Sequence, residues 1–293
     1  MKHRDRRSSS RRAAQPSRLW WGVALIAWVL GAVLLAINLY GLAQPLRKPG
    51  LGQTDQASLR FVPDQVWSYE KSLKEINALD PSLPEDQFLR DANRVVNRSL
   101  VHVDWNRVDP EAYRQRVPVW ENYFLYLLGK FSGLPQFERY HYADYRRNIR
   151  RGIGICGDAA TVLSSVLDRY QVDNRIVSFE GHVLVEAGTG SNGVLLDPDF
   201  GVVLDVPLDA LATRLPDIRQ RYLDAGYSVR EIDYLMPIYL GQYRLFDDTY
   251  HFMSKRYLFE NASYILKWLL PLGLMMASSA WLWVVWSRAG SSR

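Results

Sequence analysis

Cys156, His182 and Asp197 stand in an order and at a spacing that could carry nucleophilic chemistry. Cys156 is the only cysteine of the chain. It lies in the run Gly152-Ile153-Gly154-Ile155-Cys156-Gly157-Asp158, immediately ahead of a stretch with the apolar stripe of a helix, Asp158 to Tyr170. The unpaired N–H groups and the positive dipole end at the start of a helix favour a thiolate. Glycines at 152, 154 and 157 permit a sharp turn and close approach by a substrate, so Gly154 and Gly157, with Asp158, are expected to support the turn. A lone cysteine is more often a small buried hydrophobe. A nucleophilic one needs a base within reach, and the base needs an orienting group.

His182 opens the strand-like stretch HVLVEA, and Asp197 closes VLLD, with a Gly-rich loop between them. A four-residue loop, Gly188 to Ser191, would pair Ala187 with Asn192, Val185 with Val194, Leu184 with Leu195, Val183 with Leu196 and His182 with Asp197. Directly opposed Cβ atoms lie ~4.5–5.5 Å apart, which suits an imidazole–carboxylate hydrogen bond. A slip of one residue would put the two on opposite faces. Asp199 is the alternative orienter, and Asp197 is preferred because it ends the strand.

These segments resemble the transglutaminase-like superfamily of papain-like cysteine enzymes. The resemblance rests on G-x-C-G-D at a helix start, then a strand, then G-H-V-L-V-E and L-D-P-D, and covers Gly154 to Phe200. It implies an α+β fold in which a helix bearing the cysteine packs on an antiparallel sheet bearing the histidine and the aspartate. It implies Cys156 as nucleophile, His182 as base and Asp197 as its orienter. Asp158 and Glu186 match recurring acids with structural roles. Two departures are visible. The family often has an aromatic two residues after the histidine, where this chain has Leu184, and the Cys-to-His interval of 26 residues is compact. The oxyanion donors would be the Cys156 N–H and an upstream side chain, with Trp120 and Gln136 as candidates by residue type.

The elements that must position these groups are legible around them. Residues 44–60 are rich in Pro, Gly and polar side chains and read as a linker. Helices are expected over Asp64 to Leu79, Glu85 to Leu100 and Val119 to Phe131, the last stopped by Gly133-Leu134-Pro135. Tyr140 to Arg151 is a basic, aromatic approach to the cysteine turn. After the cysteine helix come three strands, Arg175 to Phe179, His182 to Ala187 and Val194 to Asp197, which hairpin order makes antiparallel. Residues 207–250 read as helical, with Gly226 as a C-cap.

The net charge of +5 is unevenly spread: residues 1–18 carry +6 and the chain from 264 onward +3, which leaves the body, 44–263, at −4. The basic balance therefore gives no support for nucleic-acid binding. It instead flanks two uncharged apolar stretches. Leu19 to Ala43 is long enough to cross a hydrocarbon core of ~30 Å and carries aromatics near its ends. A cleaved signal peptide is the competing reading, but signal cores usually run only ~7–15 residues. Trp268 to Ser287 is the second stretch, and its Pro271 and Gly273 are tolerated in membrane helices.

The expected organisation is a basic cytoplasmic tail (1–18), a membrane helix (19–43), a linker (44–60), an extracytoplasmic domain (61–263), a second membrane helix (265–287) and a short cytoplasmic tail (288–293). The positive-inside rule puts both termini in the cytoplasm and the domain in the periplasm of a bacterial inner membrane. An unpaired cysteine in an oxidising compartment needs a functional reason.

The function expected is that of a membrane-anchored cysteine hydrolase or acyltransferase acting on an amide or peptide bond, with a protein or peptide substrate; the resemblance favours a protease, since bacterial members of that superfamily are often proteases. No metal or other cofactor is expected, because no cluster has metal-ligand spacing. The alternative is a non-catalytic scaffold or binding subunit of an envelope glycan or secretion assembly, with membrane-complex partners. His102 and His141 read as structural or surface residues and His251 as interfacial. The run Arg146, Arg147, Arg150, Arg151 reads as a solvated face or a surface for an acidic substrate or lipid headgroups. Asn261-Ala262-Ser263 matches a glycosylation sequon but lies too near the membrane.

Overall fold

The structure is a computed structural model that describes residues 18–52, 59–61, 67–103, 105, 106, 108–188 and 192–290. The basic tail ahead of residue 18 and the tip of the 188–193 loop lie outside the described residues, as do parts of the expected linker and of the first expected helix. The protein divides into two compact units, Ala43–Tyr264 and a second formed by Met1–Leu42 with Ile265–Arg293.

The fold is mixed α+β. In chain order its elements are α1 (Arg18–Leu42), β1 (Leu59–Phe61), α2 (Tyr69–Asn77), α3 (Glu85–Ser99), β2 (Val101–Val103), α4 (Tyr123–Phe131), α5 (Pro135–Glu138), α6 (Tyr145–Arg151), β3 (Ile153–Gly154) and α7 (Cys156–Arg169). They continue with β4 (Asn174–Phe179), β5 (Val183–Ala187), β6 (Val194–Asp197), β7 (Val202–Val203), a 3-10 helix (Leu208–Thr213), α8 (Leu215–Asp224), α9 (Val229–Ile238), β8 (Tyr243–Phe246) and α10 (Thr249–Gly290).

A five-stranded antiparallel sheet, in the order β7-β6-β5-β4-β8, forms the centre of the larger unit. Alternation along its strands feeds two cores. Ile176, Val183, Val185, Ala187 and Leu196 face α7 and α3, whereas Val177, Phe179, Leu184 and Leu195 face the 3-10 helix, α8 and α9. Val162, Leu163, Val166 and Leu167 of α7 are fully buried. At ~1.5–3 kcal/mol per large apolar side chain, their burial contributes on the order of 6–12 kcal/mol toward fixing that helix. A small sheet, β1-β2-β3, lies just upstream of the cysteine.

The structure corrects several expectations. Hairpin β5–β6 pairs Val185 with Leu196, Glu186 with Leu195 and Ala187 with Val194, two residues away from the expected register. Because the side-chain period is two, that shift leaves His182 and Asp197 on one face. The expected linker belongs to the domain: Leu46 and Leu51 are buried, and the Arg47 guanidinium donates to the carbonyls of Trp67, Ser99 and Ile149. The domain accordingly extends from Ala43 to Tyr264 rather than from 61 to 263. Within 207–250 the chain also forms an edge strand, β8, paired with β4. The helix containing the second apolar stretch starts at Thr249 instead of 265, with a non-helical break at Met253 (φ −126°, ψ 27°).

In the smaller unit, α1 and the later part of α10 are both long and apolar enough to cross a membrane. They run antiparallel, with Trp20 against Trp281 and Asn38 against Lys267. A Cβ on Gly31 would lie 2.8 Å from the Pro271 carbonyl oxygen, so glycine permits the close approach. Pro271 has no N–H for the carbonyl four residues earlier, that of Lys267. Asn38 Nδ2 donates to that same carbonyl oxygen at 2.5 Å.

Candidate active site

Cys156 is the first residue of α7, is half-buried and lines a cleft. The turn before it is tightly specified. Gly152 takes φ +77°, a left-handed conformation that glycine adopts readily, and a Cβ there would collide with Arg47. A Cβ on Gly154 would lie 2.8 Å from Asp158 Cβ, so Gly154 is required by packing. Gly157 has open space around its Cα and borders the cleft. Asp158 accepts the Ile155 N–H at 3.1 Å, which caps the helix at the turn that carries the thiol. Its burial opposes ionisation, but His141, the hydrogen bond from it and Arg151 outweigh that and hold its carboxyl below the ordinary value.

His182 and Asp197 come together as the sequence suggested. His182 Nε2 donates to Asp197 Oδ2 at 2.8 Å, and both side chains are buried. Asp197 accepts three further bonds: Tyr222 Oη at 2.6 Å on Oδ2, and the Asp199 and Phe200 N–H groups at 3.1 Å on Oδ1. Tyr239 Oη lies 2.6 Å from Tyr222 Oη. Burial, reinforced by the Asp197 charge, holds both phenols well above their ordinary value, so they remain protonated. With Nε2 occupied, Nδ1 is the ring nitrogen available to the Cys156 sulfur. Burial disfavours the His182 cation, but the Asp197 carboxylate, its hydrogen bond and the neighbouring Cys156 outweigh it, and the imidazole is held well above its ordinary value.

Asp199 has a different partner. Its Oδ1 lies 2.5 Å from His102 Nδ1, both side chains being fully buried. Asn97 of α3 contacts His102 Nε2 at 3.4 Å and donates to the carbonyls of Pro198 and Asp199. Asn93, one turn earlier, donates to the Val202 carbonyl at 3.2 Å. Gly201 takes φ +71°, where a Cβ would press on Asn97. Thus α3 clamps the turn that presents Asp197. The ligand atoms of Cys156, His182 and Asp199 lie within 4.8 Å of one another, the one group among the described residues with donors suited to a metal ion.

The sequence reading missed Asn93, Asn97, Tyr222 and Tyr239, and it gave His102 and His141 no place near the site. Its oxyanion candidates lie elsewhere: Trp120 is partly buried in a separate apolar cluster, with the Arg114 guanidinium over its ring, and Gln136 is exposed. His141 instead borders the cleft beside Cys156, held by Asp158 at 3.0 Å and stacked on Trp105 with ring centroids 4.5 Å apart.

The basic run of α6 is largely consumed internally. Arg147 pairs with Glu260 at 2.6 Å, Arg150 with Glu121 at 3.2 Å, and Arg151 is fully buried beside Asp158. Glu186 is structural, accepting from Arg175 Nε at 2.6 Å and from the Leu208 N–H.

The cleft over Cys156 has a volume of about 620 Å³. Comparison with protein-family models, with curated proteins and with solved structures finds no match for the chain.

Proposed function

We propose that the protein is a membrane-anchored cysteine hydrolase or acyltransferase that attacks an amide or peptide bond, with a papain-like, transglutaminase-like core. The observation that carries the reading is the hydrogen bond from His182 to Asp197, which leaves Nδ1 to a cysteine at a helix N-terminus. In this reading the Cys156 thiolate attacks the carbonyl carbon, and the oxyanion is met by the Cys156 N–H, which belongs to the unpaired first turn of α7. His141, which borders the same cleft, would be the side chain that helps it. His182 then gives its Nδ1 proton to the departing amine, leaving a thioester. Water, deprotonated by His182, attacks the thioester and restores the thiol, or an amine attacks and forms a new amide. Asp197 holds the imidazole in the required tautomer throughout.

The test is thiol labelling of the full chain in detergent. Because Cys156 is the sole cysteine, one site is read. Iodoacetamide is expected to label wild type at pH 6 far faster than it labels a free thiol, and His182→Ala is expected to abolish the advantage. Labelling that survives Cys156→Ala, or is indifferent to His182→Ala, overturns the assignment. Protection by added zinc, reversed by a chelator, would instead point to a metal held by Cys156, His182 and Asp199. The scaffold reading wins if Cys156→Ala is equivalent to wild type in cells.

For topology, α1 and α10 are taken as two spans, with the domain periplasmic and both termini in the cytoplasm. Reporter fusions after residue 60 and after residue 290 should then report opposite sides of the membrane, and the same side overturns it.

A further inference from the structure

Beyond the reacting atoms, the cleft wall contributed by α10 carries two cations, Lys255 and Arg256, which border the same cavity as Cys156 and His182. Among the described residues, neither forms an ion pair, although this unit's body is net negative at −4. They lie just beyond the break at Met253. The carboxylate that shares the wall, Asp158, is already engaged by His141, Arg151 and the Ile155 N–H. Phe179, Val183 and Phe252 supply an apolar surface beside them. Unpaired cations beside an apolar patch, next to a nucleophile, match an acyl group carrying a negative charge.

We propose that Lys255 and Arg256 form an anion-binding subsite that selects substrates with a carboxylate, or another anion, close to the amide that Cys156 attacks. The proposal rests on the cysteine-enzyme reading and adds its substrate class: acidic peptides or anionic acyl donors. The subsite differs from the basic run of α6, where Arg147, Arg150 and Arg151 are spent inside the fold. It acts by Coulomb attraction at the mouth of the cleft, so it strengthens with falling ionic strength.

Two alkylating reagents that differ in charge provide the probe. The full-length protein in detergent is treated with iodoacetate, which is anionic, and separately with iodoacetamide, which is neutral. Each displaces iodide to form one thioether on Cys156. The wild-type ratio of iodoacetate to iodoacetamide rates is expected to exceed that of a free thiol and to fall as salt is raised. In Lys255→Gln/Arg256→Gln that ratio is expected to drop about tenfold, the iodoacetamide rate of the same variant cancelling any change in thiolate fraction. Lys255→Glu/Arg256→Glu is expected to lower it further and to favour a cationic methanethiosulfonate reagent.

A ratio that is unchanged within twofold in the double glutamine variant, or a wild-type ratio independent of salt, overturns the proposal. The salt arm needs no variant, so a folding defect cannot obscure the result. Failure of the cysteine-enzyme reading looks different: the iodoacetamide rate itself would match a free thiol and ignore His182→Ala.

Discussion

Asp197→Asn tests the site at its most constrained point. The substitution is isosteric and keeps an oxygen for the Asp199 and Phe200 N–H groups, which bond Oδ1 at 3.1 Å. Two things change on the other side. First, the negative charge 2.8 Å from His182 Nε2 disappears. With charge centres ~4 Å apart and an effective dielectric of ~20, the lost attraction is about 4 kcal/mol, or about three pH units at ~1.4 kcal/mol each. Second, an amide NH2 now faces both Nε2 and the Tyr222 hydroxyl. Nε2 must then accept rather than donate, which places the neutral ring's proton on Nδ1, facing sulfur. Both changes disfavour transfer of the thiol proton to His182. The assay is the pH dependence of iodoacetamide labelling of Cys156. The midpoint at which labelling rises is expected to move up by one to three pH units in Asp197→Asn, with the unfolding transition checked in parallel. A folded variant whose midpoint coincides with wild type refutes the idea that Asp197 controls the proton of His182.

Four further outcomes follow from the same structure. Gly154→Ala should destabilise the protein by about 1–3 kcal/mol in denaturant unfolding, because its Cβ would lie 2.8 Å from Asp158 Cβ in a packed turn. No loss of stability would show that the turn can relax. Asn97→Ala should cost about 1–3 kcal/mol and slow Cys156 labelling, since it removes the donors that hold the Pro198 and Asp199 carbonyls. Stability loss without slower labelling would confine Asn97 to a folding role. Asp158 has a folded pKa below its unfolded value, so its stabilisation is present above about pH 4 and is lost as pH falls through the folded value. The stability gap between wild type and Asp158→Asn should therefore close in acid, and a gap that widens there would reverse the sign. Asn38→Leu should weaken the pairing of α1 with α10 by about 0.6–2 kcal/mol in detergent, by removing the hydrogen bond that Asn38 gives the Lys267 carbonyl.

How much of this was legible in the sequence depends on where each signal resides. Helix α7 and strands β4 to β6 carry strong local patterns, and their observed bounds fall within two residues of the expected ones. The hairpin register was not fixed by pattern, because Asn192 and Gly193 could belong to strand or loop, and the loop spans six residues. Strand β8 was hidden because its Tyr243 and Leu245 are exposed, so no buried stripe marks it. The role of Arg47 depends on three carbonyls from distant segments, a contact that composition cannot display. Asn93 and Asn97 did leave a trace. They interrupt the buried stripe of α3 one turn apart, and polar groups on a buried face need partners. Tyr222 and Tyr239 gave no such trace, because tyrosines on or at the end of amphipathic helices read as ordinary core.

The two acids of the LDPD segment show how the fold assigns chemistry that spacing alone left open. Asp197 and Asp199 are identical in type, two residues apart and both buried. They differ in what meets them. The carboxylate of Asp197 turns to the sheet face shared with Leu184 and Leu195, where His182, Tyr222 and two N–H groups converge on it. The carboxylate of Asp199 meets His102, which β2 and Asn97 of α3 hold in place. A one-residue change in the β5–β6 register would have exchanged the faces and stranded a buried carboxylate, whereas the two-residue change actually found does not. Position on the sheet, rather than residue type, therefore makes Asp197 the partner of His182. The same turn also ties that partner to α3, so the geometry at Cys156 depends on a helix that contributes no reacting atom.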